Sequence, residues 1–176
     1  MCIRDRSIIE YSVGASSGSG FVNGTNSNGD LAKAAYFANS SAYPYILGCN
    51  IAFSTAYSSN PNKTITVSVC SVSGGNPGTV LSSKTVTMQQ IMSNVSSGYF
   101  TSVMFSNPVN TNNAAFFIVV DYSNLYWNSD SLSIQSNLNG QTVPSAHGKN
   151  KAIIYGINLI QLIRGHLIFH LQYFLL

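Results

Sequence analysis

The stretch at residues 60–84, NPNKTITVSVCSVSGGNPGTVLSSK, most constrains the fold of this chain. Its first half alternates small hydroxylated residues with apolar β-branched ones, in the order Thr64, Ile65, Thr66, Val67, Ser68 and Val69. Such a period of two is typical of a strand. A glycine-rich turn at residues 74–78 leads to a second extended segment at residues 79–86. A strand with a polar and an apolar face needs a second layer, so this hairpin predicts two packed sheets.

Five further segments carry the residue types of strands and are separated by Gly, Pro and Asn turns. They are residues 34–37, 42–57, 99–105, 114–121 and 131–136. Residues 114–121 are the most hydrophobic run and predict a central strand that is buried on both faces. Asn107-Pro108 is expected to end the strand before it, because proline cannot donate to a ladder. Leu132 and Ile134 alternate with polar residues and are expected to point inward.

Residues 42–57 are apolar nearly throughout, which indicates a buried strand with Pro44 at its start. Gly48 predicts a bulge or a close backbone approach in that strand. Four side chains of the segment are expected in the core: Ile46, Leu47, Ile51 and Phe53.

One segment, residues 88–95, has helical spacing. Its apolar side chains fall at positions i, i+3, i+4 and i+7: Met88, Ile91, Met92 and Val95. This spacing predicts a short helical turn that covers one open end of the two sheets. The amphipathic helices between strands that an α/β fold needs are missing from the pattern. The sequence therefore predicts an all-β fold, an antiparallel β-sandwich of jelly-roll or Greek-key type.

The chain has few charged residues, which argues against partners that bind through charge. Charged residues make up 7% of the chain, against about 25% in an average domain. Ser, Thr, Asn and Tyr must therefore supply the polar surface, as they do in many extracellular β-proteins. The net charge of +3 comes from the two ends, since residues 7–146 hold three lysines and four acids. Without a basic patch in this region, we expect no nucleic-acid partner.

The two ends of the chain differ in character from the middle. Residues 1–6, MCIRDR, resemble a translated sequencing adapter, and residues 7–20 resemble a Gly/Ser-rich linker. We therefore expect the β-sandwich module at residues 21–146. Residues 147–176 are rich in Ile and Leu but fit neither an amphipathic helix nor alternating strands. We interpret them as an irregular, out-of-frame tail without a membrane span; a genuine C-terminal strand pair and a membrane anchor are the alternatives.

Four stretches of the middle region resemble a recurring bacterial β-sandwich module. They are GTNSNGDLAKAAYF, NPNKTITVSV, GGNPGTVLSSKTVTM and FFIVVDYSNL. Modules of this kind occur in large secreted proteins that bacteria export by the type IX secretion system, often beside peptidase, PKD-type and sorting domains. The Gly-x-Pro-Gly-x-x-Leu element at residues 75–81 is the most specific part of the resemblance. The module usually continues with a Trp-Glu-x-Trp segment, which this chain lacks in frame.

The resemblance implies a secreted or cell-surface protein and a non-catalytic accessory module that serves adhesion, spacing or weak glycan binding. The expected partners are an extracellular glycan or neighbouring domains of the same polypeptide. The alternative is that the chain is a fragment of a secreted peptidase whose catalytic domain lies upstream. The resemblance implies no catalytic residues.

The titratable residues also favour a protein that is not an enzyme. Residues 7–146 contain no histidine, because all three lie in the tail, at His147, His166 and His170. A serine nucleophile in this region therefore has no imidazole base beside it. Asp121 and Asp130 flank strands, as ordinary turn residues do, so a glycosidase pair of carboxylates is not expected. We predict no catalytic residues and no cofactor.

The residues Asn26, Asn28 and Asp30 place side-chain oxygens at alternate positions across a glycine turn. Ca²⁺ prefers oxygen ligands of this kind, so a weak structural calcium site is one interpretation. An Asx-type turn without metal is the other.

Two cysteines of the middle region, Cys49 and Cys70, lie on segments that we expect to be neighbouring strands. In an exported protein they can oxidise to a disulfide. The alternative is a pair of buried thiols that behave as small apolar residues.

Aromatic residues beside turns are the strongest functional lead. Five of them flank predicted turns: Tyr43, Tyr45, Tyr122, Tyr126 and Trp127. Sandwich modules that bind sugars place stacking platforms in such positions, so these five are the candidate ligand-binding residues. The alternative is that the tyrosines fill the polar rim of the sandwich and hydrogen-bond through their hydroxyls.

Overall fold

The computed structural model describes residues 24–37, 45–135, 157–163 and 166–169. In chain order the elements are β1 (Ala32–Phe37), β2 (Tyr45–Ile51), β3 (Phe53–Ser58), β4 (Thr64–Ser73), β5 (Asn76–Thr87), α1 (Met88–Ser96), β6 (Thr101–Asn110), β7 (Phe116–Asp121), β8 (Asp130–Ile134), β9 (Ile157–Ile163) and β10 (His166–Phe169). The strand pairs are antiparallel, which confirms the predicted all-β class. The adapter-like residues 1–6 and the linker at residues 7–20 lie outside the described residues.

The described strands form two four-stranded sheets and one two-stranded ribbon. The first sheet has the order β1-β7-β4-β5, the second has the order β10-β9-β2-β6, and the ribbon pairs β3 with β8. One core cluster takes buried side chains from all three, including Ile65 and Ile118 of the first sheet, Ile51 of the second and Leu132 of the ribbon. The arrangement agrees with a β-sandwich, while a jelly-roll or Greek-key connection of its strands stays a prediction.

The hairpin of β4 and β5 forms as its sequence predicts, but with a tighter turn. Ser73 pairs with Asn76, so Gly74 and Gly75 alone make the turn. Both adopt positive φ, 57° and 80°, which glycine reaches without a steric penalty. Pro77 therefore lies inside β5 and not in the turn. β5 is the last strand of the described sheet, where a residue that lacks an N–H is tolerated.

Strand β2 contains the bulge that Gly48 predicts. Against β9, Ile46 pairs with Gln161 and Gly48 with the adjacent Ile160, so β2 has one extra residue between them. A Cβ atom added to Gly48 would lie 2.2 Å from the carbonyl oxygen of Val103, so the two backbones approach too closely for any other residue. Glycine is the only residue that fits here, and both parts of the prediction are confirmed.

The segment at residues 42–57 is not one strand, which corrects the sequence prediction. It divides at Ala52 into β2, in the second sheet, and β3, in the ribbon. Ile46, Ile51 and Phe53 are buried in the core as predicted. Leu47 is only half-buried and is not a core residue, because it lies next to the bulge at Gly48.

Strand β6 does not end at Asn107-Pro108 as predicted, but continues to Asn110. Across the bulge, Ile46 pairs with Val109 while Gly48 pairs with Met104. Pro108 thus lies in the part of β6 that is looped out of the ladder, where no N–H is required of it. The strand also begins at Thr101 instead of residue 99.

The predicted helical turn is the nine-residue helix α1. Thr87 caps its start, since its hydroxyl oxygen accepts a hydrogen bond of 3.3 Å from the N–H of Gln90. Met88 and Ile91 are fully buried in the core, and Met92 and Val95 pack against it. The spacing i, i+3, i+4, i+7 therefore identified the buried face correctly.

The two middle cysteines do not lie on neighbouring strands, which corrects the sequence expectation. Cys49 is on β2 in the second sheet and Cys70 is on β4 in the first. Both are buried free thiols, as the alternative interpretation proposed. Burial raises the pKa of the Cys49 thiol to about 12 and also raises the pKa of Cys70.

Part of the C-terminal tail is regular, where an irregular tail was expected. Strand β9 pairs with the side of β2 that β6 leaves open, and β10 pairs with β9. The pairing satisfies backbone groups of β2 that an edge strand would leave unbonded, which explains why strands form here. The strand-pair alternative describes these two stretches, while the reading frame of residues 147–176 stays untested.

Candidate functional site

The loop that joins β7 to β8 presents two of the predicted aromatic side chains. Tyr126 is 65% exposed and Trp127 is 48% exposed. Main-chain hydrogen bonds fold the loop back on itself: the Leu125 N–H donates to Tyr122 O over 2.9 Å, and the Asp130 N–H donates to Tyr126 O over 2.7 Å. The Leu125 side chain is buried in the core. The base of the loop is therefore fixed and its aromatic tip faces outward.

The carboxylate of Asp130 holds the loop to the ribbon and to the turn before β4. It accepts hydrogen bonds from Ser58 Oγ at 2.6 Å, from Lys63 Nζ at 2.7 Å and from the Tyr126 N–H at 2.7 Å. Asp130 itself is 1% exposed. Two regions distant in sequence, residues 58–63 and residues 126–130, thus converge on one buried group.

The electrostatics of Asp130 follow from these contacts. Burial by itself raises the pKa of the carboxyl, but hydrogen bonds from Lys63, Ser58 and Tyr126 outweigh it and hold the pKa below its ordinary value. The group is therefore ionised at neutral pH. The Lys63 ammonium also lies 4.8 Å from the centre of the Tyr126 ring, within the range of a cation–π contact.

The other predicted aromatic residues do not join this loop surface. Tyr45 is 40% exposed, but it lies on β2, opposite Asn110 of β6. Tyr43 lies outside the described residues. Tyr122 was expected to be exposed and is 1% exposed, which corrects that prediction. It follows directly after β7, the most hydrophobic strand, and its ring belongs to the core cluster.

The hydroxyl group of Tyr122 is buried and has no hydrogen-bond partner among the described residues. Burial raises the pKa of this phenol, and the nearby charges of Asp30 and Asp121 raise it further. The polar-rim interpretation, in which tyrosine hydroxyls are hydrogen-bonded, therefore fails at this residue. A buried hydroxyl without a hydrogen bond destabilises the folded state.

The candidate metal residues form a turn through their own side chains. The Asn26 Oδ1 atom accepts a hydrogen bond of 3.0 Å from the Asn28 N–H, which defines an Asx turn. The Asn26 side-chain amide donates to Asp30 Oδ2 at 3.0 Å, and Lys33 Nζ donates to the same oxygen at 2.7 Å. The geometry is that of the Asx-turn alternative.

Asp30 is already neutralised within this turn. Burial raises the pKa of its carboxyl, but hydrogen bonds from Lys33 and Asn26 dominate and lower the pKa overall. Within the described residues, no three His, Cys, Asp or Glu side chains lie close enough together to hold a metal ion. The calcium interpretation stays untested.

Two exposed aromatic residues were missed as candidates, because residues 99–105 were predicted to be a strand. Tyr99 is 71% exposed and Phe100 is 48% exposed, and both precede β6. Gly98, three residues after the last position of the helical spacing, was the signal that could have found them, since glycine commonly ends a helix. A loop after α1 was therefore readable from the sequence.

The chain matches no protein-family model, no curated protein and no solved structure. Of the helices in the described part of the chain, none has the length and apolar character needed to cross a membrane.

Proposed function

We propose that this chain is a non-catalytic accessory module of a secreted or cell-surface bacterial protein, for adhesion, spacing or weak glycan binding, and we develop the last of these, the binding of an extracellular glycan. The observation that carries the proposal is the loop of residues 122–129, whose base is fixed by Asp130 and whose tip exposes Tyr126 and Trp127. A loop that is already ordered loses little conformational entropy on binding. Rigid aromatic side chains supply contact area to apolar ring faces at low entropic cost.

Charge pairing in the described region supports a neutral glycan. Lys63 pairs with Asp130 and Lys33 pairs with Asp30. The charge beside Tyr126 is therefore already balanced within the chain, and little is left to attract an acidic or a basic ligand. A ligand of hydroxyl groups and apolar ring faces suits such a surface.

The secreted or surface location is supported by the resemblance to type IX secretion modules and by the charge-poor composition, with 7% charged residues. The alternative is that the chain is a fragment of a secreted peptidase. The two proposals differ in what the complete gene encodes and not in what this part of it does.

The test is a glycan array probed with the full 176-residue chain, followed by titration of the best neutral oligosaccharide. The chain has one tryptophan, so the fluorescence of Trp127 reports on this loop directly. We expect a dissociation constant on the order of 1 mM, about −4 kcal/mol. Tyr126→Ala keeps the backbone N–H that bonds Asp130, so it should weaken binding about tenfold without unfolding the loop.

The matched control is Leu81→Ala on β5, which removes an apolar side chain of similar exposure, 43%, from a different surface. Binding on the glycan array that stays unchanged in both Tyr126→Ala and Trp127→Ala, or the absence of any glycan signal, would remove the glycan proposal.

A further inference from the structure

The chain leaves helix α1 through a motif that fixes the next two residues. The Tyr99 N–H donates to Asn94 O over 2.8 Å and the Gly98 N–H donates to Val95 O over 3.1 Å. Gly98 has a φ of 70°. These two bonds and the left-handed glycine define a Schellman motif. The Asn94 side chain also donates to the buried Thr101 Oγ1 at 3.1 Å, which holds the start of β6 against the helix.

The residue after the glycine departs from the usual form of this motif. In a Schellman motif that residue commonly packs back against the last turn of the helix. Here it is Tyr99, and it is 71% exposed, while the following Phe100 is 48% exposed. A rigid frame therefore holds two aromatic side chains in solvent, where the hydrophobic effect alone would not place them.

A pocket of about 190 Å³ lies beside this pair. Tyr99 and Phe100 form part of its wall, and the described lining also includes Ala52, Phe53, Ser54, Val95 and Gln135. Phe53 and Ala52 are buried, so the bottom of the pocket is formed by packed side chains. Pockets for drug-sized ligands usually measure about 300–1,000 Å³. The space here suits a single ring and not a whole ligand.

The chemistry of the lining indicates the class of ring. The described lining residues carry no charge, and they combine aromatic faces with the Ser54 hydroxyl and the Gln135 amide. Aromatic faces contact apolar C–H surfaces, while a hydroxyl and an amide exchange hydrogen bonds with hydroxyl groups. A neutral sugar ring presents both kinds of surface.

We propose that this pocket is a second carbohydrate site, separate from the loop of Tyr126 and Trp127, which receives one neutral sugar ring of a glycan. The proposal takes its ligand class from the proposed function, but it rests on different residues. Two weak sites on one module raise the overall affinity for a long or repetitive glycan when both can be occupied at once.

The experiment is methyl and indole NMR of the full chain with glucose, galactose, mannose, xylose and N-acetylglucosamine as probes. Each sugar is added to about 100 mM, which saturates a site with a millimolar dissociation constant. The Ala52 methyl group reports on the pocket, and the Trp127 indole N–H reports on the loop. We expect a saturable shift of Ala52 with at least one sugar.

Two variants assign the shift to the pocket. Phe100→Ala should weaken the dissociation constant measured at Ala52 about tenfold and leave that measured at Trp127 unchanged. Val95→Phe should block the site by filling the pocket from the helix side while keeping the helix. Met104→Ala is the control, since Met104 is 45% exposed and lies on β6 outside the pocket lining.

The outcomes separate this inference from the proposed function. A saturable Trp127 shift without any Ala52 shift overturns the second site and leaves the loop site standing. An Ala52 shift without a Trp127 shift supports the pocket and contradicts the loop. No saturable shift at Ala52 with any of the five sugars overturns the second site, and so does an Ala52 shift that persists in Val95→Phe.

Discussion

At the scale of single residues, Asp130 is the group on which the candidate loop depends most. Asp130→Asn leaves Lys63 without its partner and weakens three hydrogen bonds to a buried position. We expect a loss of about 2–3 kcal/mol in the free energy of unfolding, since Lys63 can turn toward solvent and recover part of the cost. Urea denaturation measures the change. Asp121→Asn is the control, because the bond that Asp121 accepts among the described residues, from the Ser123 N–H at 2.9 Å, is exposed.

The same carboxylate makes the stability of the folded protein depend on pH in the acid range. The pKa of Asp130 is lower in the folded chain than its ordinary value of 3.8, so the unfolded chain binds the proton more readily. Its contribution to stability is therefore complete above pH 3.8 and is lost as the pH falls through the lower, folded pKa. Asp30 acts in the same direction. Thermal unfolding between pH 7 and pH 2 should show this loss, and a curve for Asp130→Asn as steep as that of the native chain would disprove the role of Asp130.

Tyr122 offers a substitution that should stabilise the protein. Its hydroxyl is buried and finds no hydrogen-bond partner in the part of the chain that the structure describes, so Tyr122→Phe removes a desolvated polar group and keeps the ring in the core. We expect the variant to be more stable by about 1 kcal/mol. Tyr126→Phe, at an exposed ring, should leave the stability unchanged. A destabilised Tyr122→Phe variant would show that the hydroxyl has a partner in solution.

At the scale of elements, the end of α1 decides how Tyr99 and Phe100 are presented. Gly98→Ala places a side chain at a φ of 70°, although nothing within 4 Å opposes its Cβ atom. The cost is therefore conformational, about 1–2 kcal/mol. Thermal melting measures it, with Ser97→Ala as the neighbouring control in a right-handed conformation. Equal melting temperatures for Gly98→Ala and the native chain would contradict the motif.

The elements themselves were largely readable from local patterns. Alternation in β4, the helical spacing of α1 and the bulge at Gly48 each follow from the residues of a single segment. The errors arose where partners distant in sequence decide the outcome. Pro108 remains within β6 because residues 105–108 loop out of the ladder between the pairs Gly48–Met104 and Ile46–Val109, and nothing near residue 108 encodes which residues of β2 will pair there. The division of residues 42–57 at Ala52 likewise depends on which sheet each half joins.

The candidate site was readable only in part, for the same reason. Tyr126 and Trp127 stand out because they lie among turn residues. Their anchor, the contact of Asp130 with Ser58 and Lys63, joins residues more than sixty positions apart, with separations of 72 and 67. Tyr122 also lies beside turn residues, but it points into the core because it continues the buried strand β7. The alternation of Ile118 and Val120 continues to Tyr122, so extending the pattern of β7 by one residue would have separated the two tyrosines.

At the scale of the whole molecule, the placement of the cysteines predicts how the fold responds to reducing agents. Cys49 and Cys70 lie in different sheets and are unbonded thiols. Dithiothreitol should therefore leave the melting temperature unchanged, and Cys70→Ala should cost only what a small buried side chain contributes, about 1 kcal/mol. A melting temperature that falls on reduction would reveal a disulfide.

β5 is an edge strand of the described sheet, which affects whether copies of the chain associate at high local concentration. An exposed strand invites a second molecule to extend the sheet, but this one carries Pro77, which offers no N–H, and Lys84, whose charge repels its own copy. Many copies of this chain at high local concentration can then lie side by side without fusing into a continuous fibre.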